Sequence, residues 1–452
     1  MTLANRVRRN RICAAALLAA AGTTARAQTP PSTTMPAGEA GAGIARVVRS
    51  TPELQAALAG AAPGVVIEIR SGLYAPPQGW NKAAPLFRLS GKTGVLVRAE
   101  IGARMDGLGR IDTLLEISDC ANCEISGLSL THARRAALVV TASRNVTIRE
   151  CVAVDCTTDR NLIMGQFRVV GGACDGIAFR DCAAIGGVKG FELREVPTLS
   201  APQASVPPKK GNIHSREADM PESEWANFKG YAEAPSRTTF CGCVAYDNNR
   251  NTQHSDGFSP RYGRQTTIED SIALWNGDDG FDGVANVDLT VTHVFSGWNG
   301  NLFATNLPTG GNGNGIKCGV RGGLRPRIEH SVCVGNANGG ITFADGEHGR
   351  GEFNFVVGSR SAISCEAGRS AGVTLTLSHN VQNAPSKLVG GARANETGAR
   401  EFAPERAEID EFAALVKRLC ETPPVAGRVA EWRMRIRAQT DAWMEQKHWR
   451  RP

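Results

Sequence analysis

The stretch Thr267–Ala273 reads TIEDSIA, and closely similar stretches recur before and after it in the chain. Each alternates apolar with polar residues, as a strand with one buried face does, and is followed within a few positions by Asn or Gly. The similar stretches are Asn145–Val152 (NVTIRECV), Thr239–Val244 (TFCGCV) and Pro326–Val332 (PRIEHSV). Recurrence of one strand-and-turn unit predicts a solenoid, in which successive coils stack on one another.

The apolar positions expected to face the core are Ile148, Phe240, Ile268, Val291 and Ile328, and their spacing is irregular. A propeller or a leucine-rich horseshoe keeps a tighter period, whereas a β-helix keeps its strands and varies its turns. We therefore predict an all-β chain that forms a right-handed, single-stranded parallel β-helix. A β-sandwich is the alternative, because it also alternates strands with turns, but it does not explain one repeated unit.

The start of the chain carries targeting signals. Residues 1–27 combine a basic segment, the apolar run Ile12–Ala21 and the sequence Ala25-Arg26-Ala27, which is the order of regions in a secretory signal peptide. Residues 28–45 are rich in Pro, Thr, Gly and Ala and predict a flexible leader. We expect a secreted or periplasmic protein.

The remaining chain divides by its periodicity. The β-helix is predicted to cover residues 46–400, with a long inserted loop over 195–235, and to begin with a capping helix whose N-cap is Thr51. After residue 400 the apolar residues take helical spacing, so residues 401–452 predict a C-terminal helical segment. We expect its helices to pack over the end or along the side of the solenoid.

The charge of the chain excludes one class of partner. The formal net charge is +7, and it falls to +2 without residues 1–27, which hold five Arg and no acid. A nearly neutral protein is not an electrostatic nucleic-acid binder. No apolar run after the first thirty residues is long enough to span a membrane. We expect a monomer with neither a nucleic-acid nor a membrane partner.

The cysteines leave two possibilities open. Twelve of the 13 remain when Cys13 leaves with the signal, and several of them occupy similar places in successive strands. An oxidising compartment permits disulfides, but small buried thiols can also stack as core residues. The recurring positions are Cys151, Cys182, Cys243 and Cys333.

Four carboxylates lie in two consecutive predicted coils. Asp256 stands in SDGF, and Asp278, Asp279 and Asp282 stand in NGDDGFD. Asp256 and Asp278 are 22 residues apart, about one coil, so they can stack on one edge of the solenoid. A single Asp is explained by its tolerance of turn geometry. Four converging carboxylates repel one another unless a cation neutralises them, and an all-oxygen set favours Ca²⁺.

A lysine follows these carboxylates in GNGNGIKCG (311–319). Ile316 and Cys318 alternate inward, so Lys317 is expected to point outward along the same groove. Calcium and an arginine nearby would disfavour its ammonium form, lower its pKa and make it a candidate base. The candidate substrate-binding residues are Arg321, Arg261 and Asn314.

The motifs SDGF, NGDDGFD and GNGIK (313–317) resemble polysaccharide lyase family 9, the β-helical pectate lyases, over about residues 245–345. The resemblance implies that the aspartates bind calcium and that Lys317 abstracts a proton. It also implies an acidic polysaccharide substrate, such as polygalacturonate or another uronate polymer, cleaved by β-elimination to 4,5-unsaturated oligosaccharides. Ile316 and Cys318 depart from the Phe and Leu expected in that family.

Two other functions stay open. A polygalacturonase-type hydrolase also clusters aspartates on successive coils, but we would expect a Gly-His-Gly turn before the lysine. The chain has Trp298-Asn299-Gly300-Asn301 at that place. The second alternative is a β-helical carbohydrate-binding protein without catalytic activity.

Overall fold

In the computed structural model, short strands form three long sheets that run along the chain. The predicted signal peptide, the leader except Ala45, and the 195–235 loop except its last two residues lie outside the described residues. The structure describes residues 45–157, 164–194, 234–250, 254–305, 308–319, 325–344, 348–366, 374–383, 385–389 and 393–449.

We name the sheets A, B and C in the order in which each coil visits them. In the described ranges, sheet A has 13 strands: Ala45–Val48, Val66–Ile69, Leu96–Ala99, Glu124–Ser126, Thr147–Arg149, Ala178–Arg180, Thr239–Cys241, Thr267–Glu269, Thr290–Thr292, Arg327–Glu329, Arg350–Glu352, Thr374–Ser378 and Arg393–Thr397.

Sheets B and C follow sheet A in each coil. Within the same ranges, sheet B has 12 strands: Gly72–Tyr74, Ala103–Asp106, Ser129–Thr131, Val152–Val154, Ala183–Ile185, Val244–Tyr246, Ile272–Leu274, Phe295–Gly297, Val332–Val334, Phe355–Val357, Val381–Gln382 and Arg400–Glu401. Sheet C, counted over the same part of the chain, has 11: Phe87–Ser90, Thr113–Ser118, Ala136–Thr141, Gly165–Val170, Lys189–Arg194, Phe258–Pro260, Phe281–Gly283, Ile316–Cys318, Gly339–Ala344, Ser361–Glu366 and Lys387–Val389.

Neighbouring strands of each sheet come from successive coils and pair in parallel. The predicted parallel β-helix is therefore confirmed, and a sandwich of antiparallel sheets is excluded. The predicted inward positions are also confirmed. Phe240, Ile268, Val291 and Ile328 are partners in register on sheet A, and each is at most 1% exposed.

Aromatic rings stack inside sheet C. The rings of Phe167, Phe191, Phe258 and Phe281 lie on consecutive strands, with centroids 5.1, 4.8 and 4.8 Å apart. Burying a side chain of this size contributes roughly 1.5–3 kcal/mol. The stack also fixes the register of the four coils, so residues at the same offset from each ring lie above one another.

Buried asparagines line the turn between sheets B and C. Asn248 donates to Asn276, Asn276 to Asn299 and Asn299 to Asn336, each through its side-chain amide at 2.9 Å. Each of these four residues is at most 2% exposed, so the amide bonds replace water inside the turn. This ladder holds the chain directly before the strands of sheet C.

The cysteines are core thiols. All 12 cysteines of the described residues are free, and 11 of them are buried. Cys182 contacts Cys151 and Cys243, one coil to either side, and its burial raises the pKa of its thiol well above the usual range. Cys151, Cys182 and Cys243 therefore stack and form no disulfide. The prediction was wrong for Cys333, because the strand register places Ser331 in line with Cys243.

A helix covers the first coils. Helix α1 spans Thr51–Ala59 and buries Leu54 and Leu58 in the core. The predicted N-cap was wrong by one residue, because the side chain of Ser50 accepts the N–H of Glu53. The Thr51 hydroxyl instead donates to the carbonyl of Ala75 at 3.1 Å.

Two C-terminal helices lie along the side of the solenoid. Helices α2 (Arg406–Cys420) and α3 (Val429–Gln446) share an apolar cluster with the outer face of sheet B. Tyr246 of sheet B donates to the carbonyl of Cys420 at 3.1 Å, and the Phe295 ring lies 6.0 Å from that of Phe412. Within the described ranges, no helix has the length and hydropathy of a membrane span.

Candidate functional site

One column of residues runs across four coils at the edge of sheet C. Each member stands two positions before a core residue of the sheet, and those core residues are partners in register. The members are Lys189, Asp256, Asp279 and Asn314. The sequence places each of them before a glycine and an apolar residue, as in Asp256-Gly257-Phe258.

The glycines of this column are required by the close stacking of the coils. A Cβ on Gly257 would lie 2.7 Å from the carbonyl oxygen of Gly280, and one on Gly280 would lie 2.6 Å from that of Gly315. Real Cβ atoms do not approach backbone this closely, so a larger residue would push the coils apart. The glycines therefore keep the functional side chains of neighbouring coils within contact distance.

A second column lies on the outer face of sheet C. Ser259, Asp282 and Lys317 each follow a core residue directly, and Asp282 and Lys317 are partners in register. Because side chains alternate along a strand, these three point away from the core. Lys317 points outward in the structure, as predicted.

Three of the four predicted metal ligands come together. Asp256, Asp279 and Asp282 each offer a carboxylate oxygen, and these oxygens all lie within 4.8 Å of one another. All three are buried. Asp278 is also buried but does not belong to this trio, and its Oδ1 accepts the N–H of Asn312 at 2.5 Å.

Lys317 lies against this trio. Its Nζ is 3.1 Å from Asp279 Oδ2 and 3.5 Å from Asp282 Oδ1, and its side chain is 16% exposed. The lowered pKa is a prediction for Lys317 beside calcium, and in the absence of an ion the shift has the opposite direction. Burial lowers the pKa of Lys317, but the attraction of Asp282, Asp279 and Asp256 outweighs burial and raises the pKa above its usual value.

Two of the aspartates hold protons unusually tightly. Burial, followed by the charges of Asp279 and Asp256, raises the pKa of Asp278 to about 8. Burial also raises the pKa of Asp279; Lys317 opposes this, and the pKa settles at about 6. Burial is the largest cause in both cases, and repulsion from neighbouring carboxylates adds to it.

Lys189 is a site residue that the sequence analysis missed. Its Nζ donates to Asp256 Oδ2 at 2.6 Å and to the Ser259 hydroxyl at 3.0 Å, and its side chain is 1% exposed. Burial raises the pKa of Asp256, but Lys189, Arg261 and Lys317 outweigh burial and hold the pKa below its usual value. The signal that points to Lys189 is Lys189-Gly190-Phe191, which has the same form as Asp256-Gly257-Phe258.

The three predicted substrate-binding residues have different outcomes. Asn314 is buried and donates to Asp279 Oδ1 through both its backbone and side-chain N–H groups at 2.8 Å. This geometry favours a role in orienting Asp279 over contact with a substrate. Arg261 lies beside the cluster: burial lowers its pKa, but Asp282 and Asp256 outweigh burial and raise it. Arg321 lies outside the described residues.

The residues present fit a hard divalent cation. Asp282 Oδ1 is buried and accepts no hydrogen bond from the described residues, although Lys317 Nζ faces it at 3.5 Å. A buried carboxylate oxygen without a hydrogen bond is costly unless another partner satisfies it. An all-oxygen set of carboxylates is the environment that Ca²⁺ prefers. The candidate ligands are Asp256, Asp279 and Asp282, with Asp278 beside them.

Comparison with known proteins defines the fold. No family model and no curated protein matches the sequence. The structure is similar to PfbA, a surface adhesin of Streptococcus pneumoniae, with a TM-score of 0.52 and 8% identity over 78% of this chain and 88% of that chain. It is also similar to the pectate lyase Pel9A (TM-score 0.47, 17% identity, 81% and 82% covered) and to a rhamnogalacturonan lyase (TM-score 0.45, 14% identity, 80% and 86% covered). The similarity to PfbA, at 8% identity, supports a shared architecture and not a shared activity: the chain is a parallel β-helix.

Proposed function

We propose that this protein is a calcium-dependent polysaccharide lyase that cleaves a uronate polymer by β-elimination, with Lys317 as the base. The observation that carries the proposal is the position of Lys317 Nζ, 3.1 and 3.5 Å from two members of the carboxylate trio, on the outer face of sheet C. The similarity to polysaccharide lyase family 9 rests on the three motifs of residues 245–345 and belongs to the same proposal, as does export to the periplasm or beyond.

The elimination needs a base for the C5 proton of the uronate and a neutralised C6 carboxylate. Calcium held by the aspartates would supply a Lewis acid for that carboxylate and for the charge that develops on it. Lys317 Nζ takes the proton from C5, the electron pair forms the C4–C5 double bond, and the C4–O bond breaks. The departing oxygen takes a proton from solvent.

The lysine must first lose its own proton. The aspartates hold that proton in the metal-free site by raising the pKa of Lys317. Neutralising Asp279 and Asp282 removes the largest attractions, so cation binding and the availability of a free amine are coupled. We infer that the lysine works as a base only in the metal-loaded protein.

The other polar residues divide into two groups. Asn314 and Asn312 hold Asp279 and Asp278 from the next coil, which fixes the carboxylates relative to Lys317. Arg261 is proposed to bind a further carboxylate of the polymer, because its Nε has no hydrogen-bond partner among the described residues. Arg321 remains a proposed substrate contact.

Hydrolysis is the second candidate, and one observation favours it. The pKa of Asp278 is raised to about 8, so near neutral pH it carries a proton beside ionised carboxylates. A protonated and an ionised carboxyl group are the pair that glycoside hydrolases use. A bound cation would remove this argument, since it would favour the ionised form of Asp278.

The test is incubation of the purified protein with a panel of uronate polymers, including polygalacturonate and alginate, with calcium or with a chelator. The proposal predicts a product that absorbs ultraviolet light, from one polymer class, only with calcium. New reducing ends without that absorbance would establish hydrolysis. Binding of a polymer without any product would establish a non-catalytic carbohydrate-binding protein.

A further inference from the structure

Lys189 is a lysine inside the acidic cluster that the proposed chemistry does not use. It begins the strand Lys189–Arg194, and no part of the residue is exposed. Its ammonium group has two described hydrogen-bond partners, the carboxylate of Asp256 at 2.6 Å and the hydroxyl of Ser259 at 3.0 Å. A charge buried this deeply is retained only where its partners compensate for the lost water.

The position of Lys189 in the fold explains how it enters the cluster. It occupies the same column as Asp256 and Asp279, one coil before Asp256. Asp256 thus has Lys189 on its Oδ2 side, while its Oδ1 accepts the backbone N–H of Asp279 at 3.3 Å. Lys189 therefore neutralises Asp256, the first aspartate of the column, without a metal ion.

We propose that Lys189 is a built-in cation of the carboxylate cluster: it orients Asp256 before a divalent ion arrives, and it weakens the affinity of the cluster for that ion. The proposal rests on the calcium site proposed above. Lys189 is a positioning residue, because its buried ammonium touches Asp256 and not a substrate.

Two consequences follow from the charge. A fixed positive charge next to Asp256 repels a divalent ion bound to the same carboxylate, so its removal should strengthen calcium binding about tenfold or more. Without the lysine, the buried carboxylate of Asp256 loses the cation that contacts it, which destabilises the metal-free protein. Calcium should then rescue the stability of the variant far more than that of the wild type.

The experiment measures calcium binding by titration calorimetry and the calcium-dependent shift of the unfolding temperature. The variants are Lys189→Met and Lys189→Gln, the second of which keeps a hydrogen-bond donor and should fold if the first does not. Ser259→Ala is the matched control, because it removes the neutral partner of Lys189 and keeps the charge. We expect tighter calcium binding and a larger calcium shift in both lysine variants, and neither in Ser259→Ala.

The outcomes separate this proposal from the proposed function. Unchanged or weaker calcium binding in Lys189→Gln, beside a wild type that binds calcium, would overturn the role of Lys189 and leave the lyase proposal standing. Binding by the variants but not by the wild type would support the role of Lys189 and contradict the calcium-dependent lyase. Absence of calcium binding in all of these proteins would overturn both.

Discussion

At the scale of single residues, the site is a cluster of buried acids in contact with two lysines. Lys317 keeps its proton because three carboxylates surround it, and the pKa values of Asp278 and Asp279 are raised first by burial and then by neighbouring carboxylates. The proton balance of this cluster should therefore change when a cation binds. Calcium binding is expected to release protons, which is the coupling that the proposed base requires.

Replacement of Lys317 by Ala should reduce the turnover of a uronate polymer by at least about 10²–10⁴-fold, because no other described amine contacts the carboxylate trio from the outer face of sheet C. Formation of the unsaturated product measures the effect. Lys387→Ala is the matched control, since Lys387 is an exposed lysine on another strand of sheet C. Retention of turnover by Lys317→Ala would remove the proposed base.

The stability of the metal-free protein should fall as pH rises. The pKa values of Asp279 and Asp278 are raised from 3.8 to about 6 and about 8, so the stability that they contribute is complete below pH 3.8 and is lost as pH rises through those values. Thermal unfolding in chelator across this range measures the effect. The Asp278→Asn variant should lose less stability than the wild type as pH rises through about 8. Calcium should reduce the same loss in the wild type. A wild-type profile that rises with pH across this window would contradict these shifts.

At the scale of elements, each of the four coils of the column contributes one short motif, a polar residue followed by glycine and an apolar residue. The recurring strands and the acidic pair one coil apart were predictable, because period and residue type are visible in the sequence. Lys189 shares the motif, but a single lysine in a strand carries no sign of its burial. The direction of the pKa shift of Lys317 was also beyond prediction, since it depends on distances to three carboxylates from two coils.

Gly280→Ala tests whether close stacking of the coils holds the site together. The added Cβ would lie 2.6 Å from the Asn299 side-chain amide and 2.6 Å from the carbonyl of Gly315. We expect a loss of about 1–3 kcal/mol in the free energy of unfolding, together with weaker calcium binding. Denaturant unfolding and calorimetry measure the two effects. Gly60→Ala, whose nearest contact would be 3.2 Å, is the control. Equal losses of stability and equal calcium binding in Gly280→Ala and Gly60→Ala would mean that the coils at the site are not closely stacked.

At the scale of the whole molecule, the C-terminal helices pack on sheet B, whereas the carboxylate trio and Lys317 lie at sheet C. The helical character of residues after 400 was predictable from periodicity. The sheet on which they pack was not, because helical spacing gives the apolar face of a helix and not its partner.

Phe412→Ala tests this packing in the intact chain. The ring of Phe412 lies 5.7 Å from that of Trp298 and 4.6 Å from that of Trp443, so its removal leaves a cavity between helix and sheet. We expect a loss of about 3–5 kcal/mol in the free energy of unfolding with unchanged calcium affinity. Met434→Ala, at a side chain that is 55% exposed, should cost little. Equal stabilities of the two variants would contradict the packing of α2 on sheet B.

The central claim is that this solenoid breaks a C–O bond by elimination. In a reaction with its preferred uronate polymer and calcium, the number of carbon–carbon double bonds formed can be measured against the number of new reducing ends. Elimination predicts one double bond for every new reducing end. Reducing ends formed without double bonds would contradict the account.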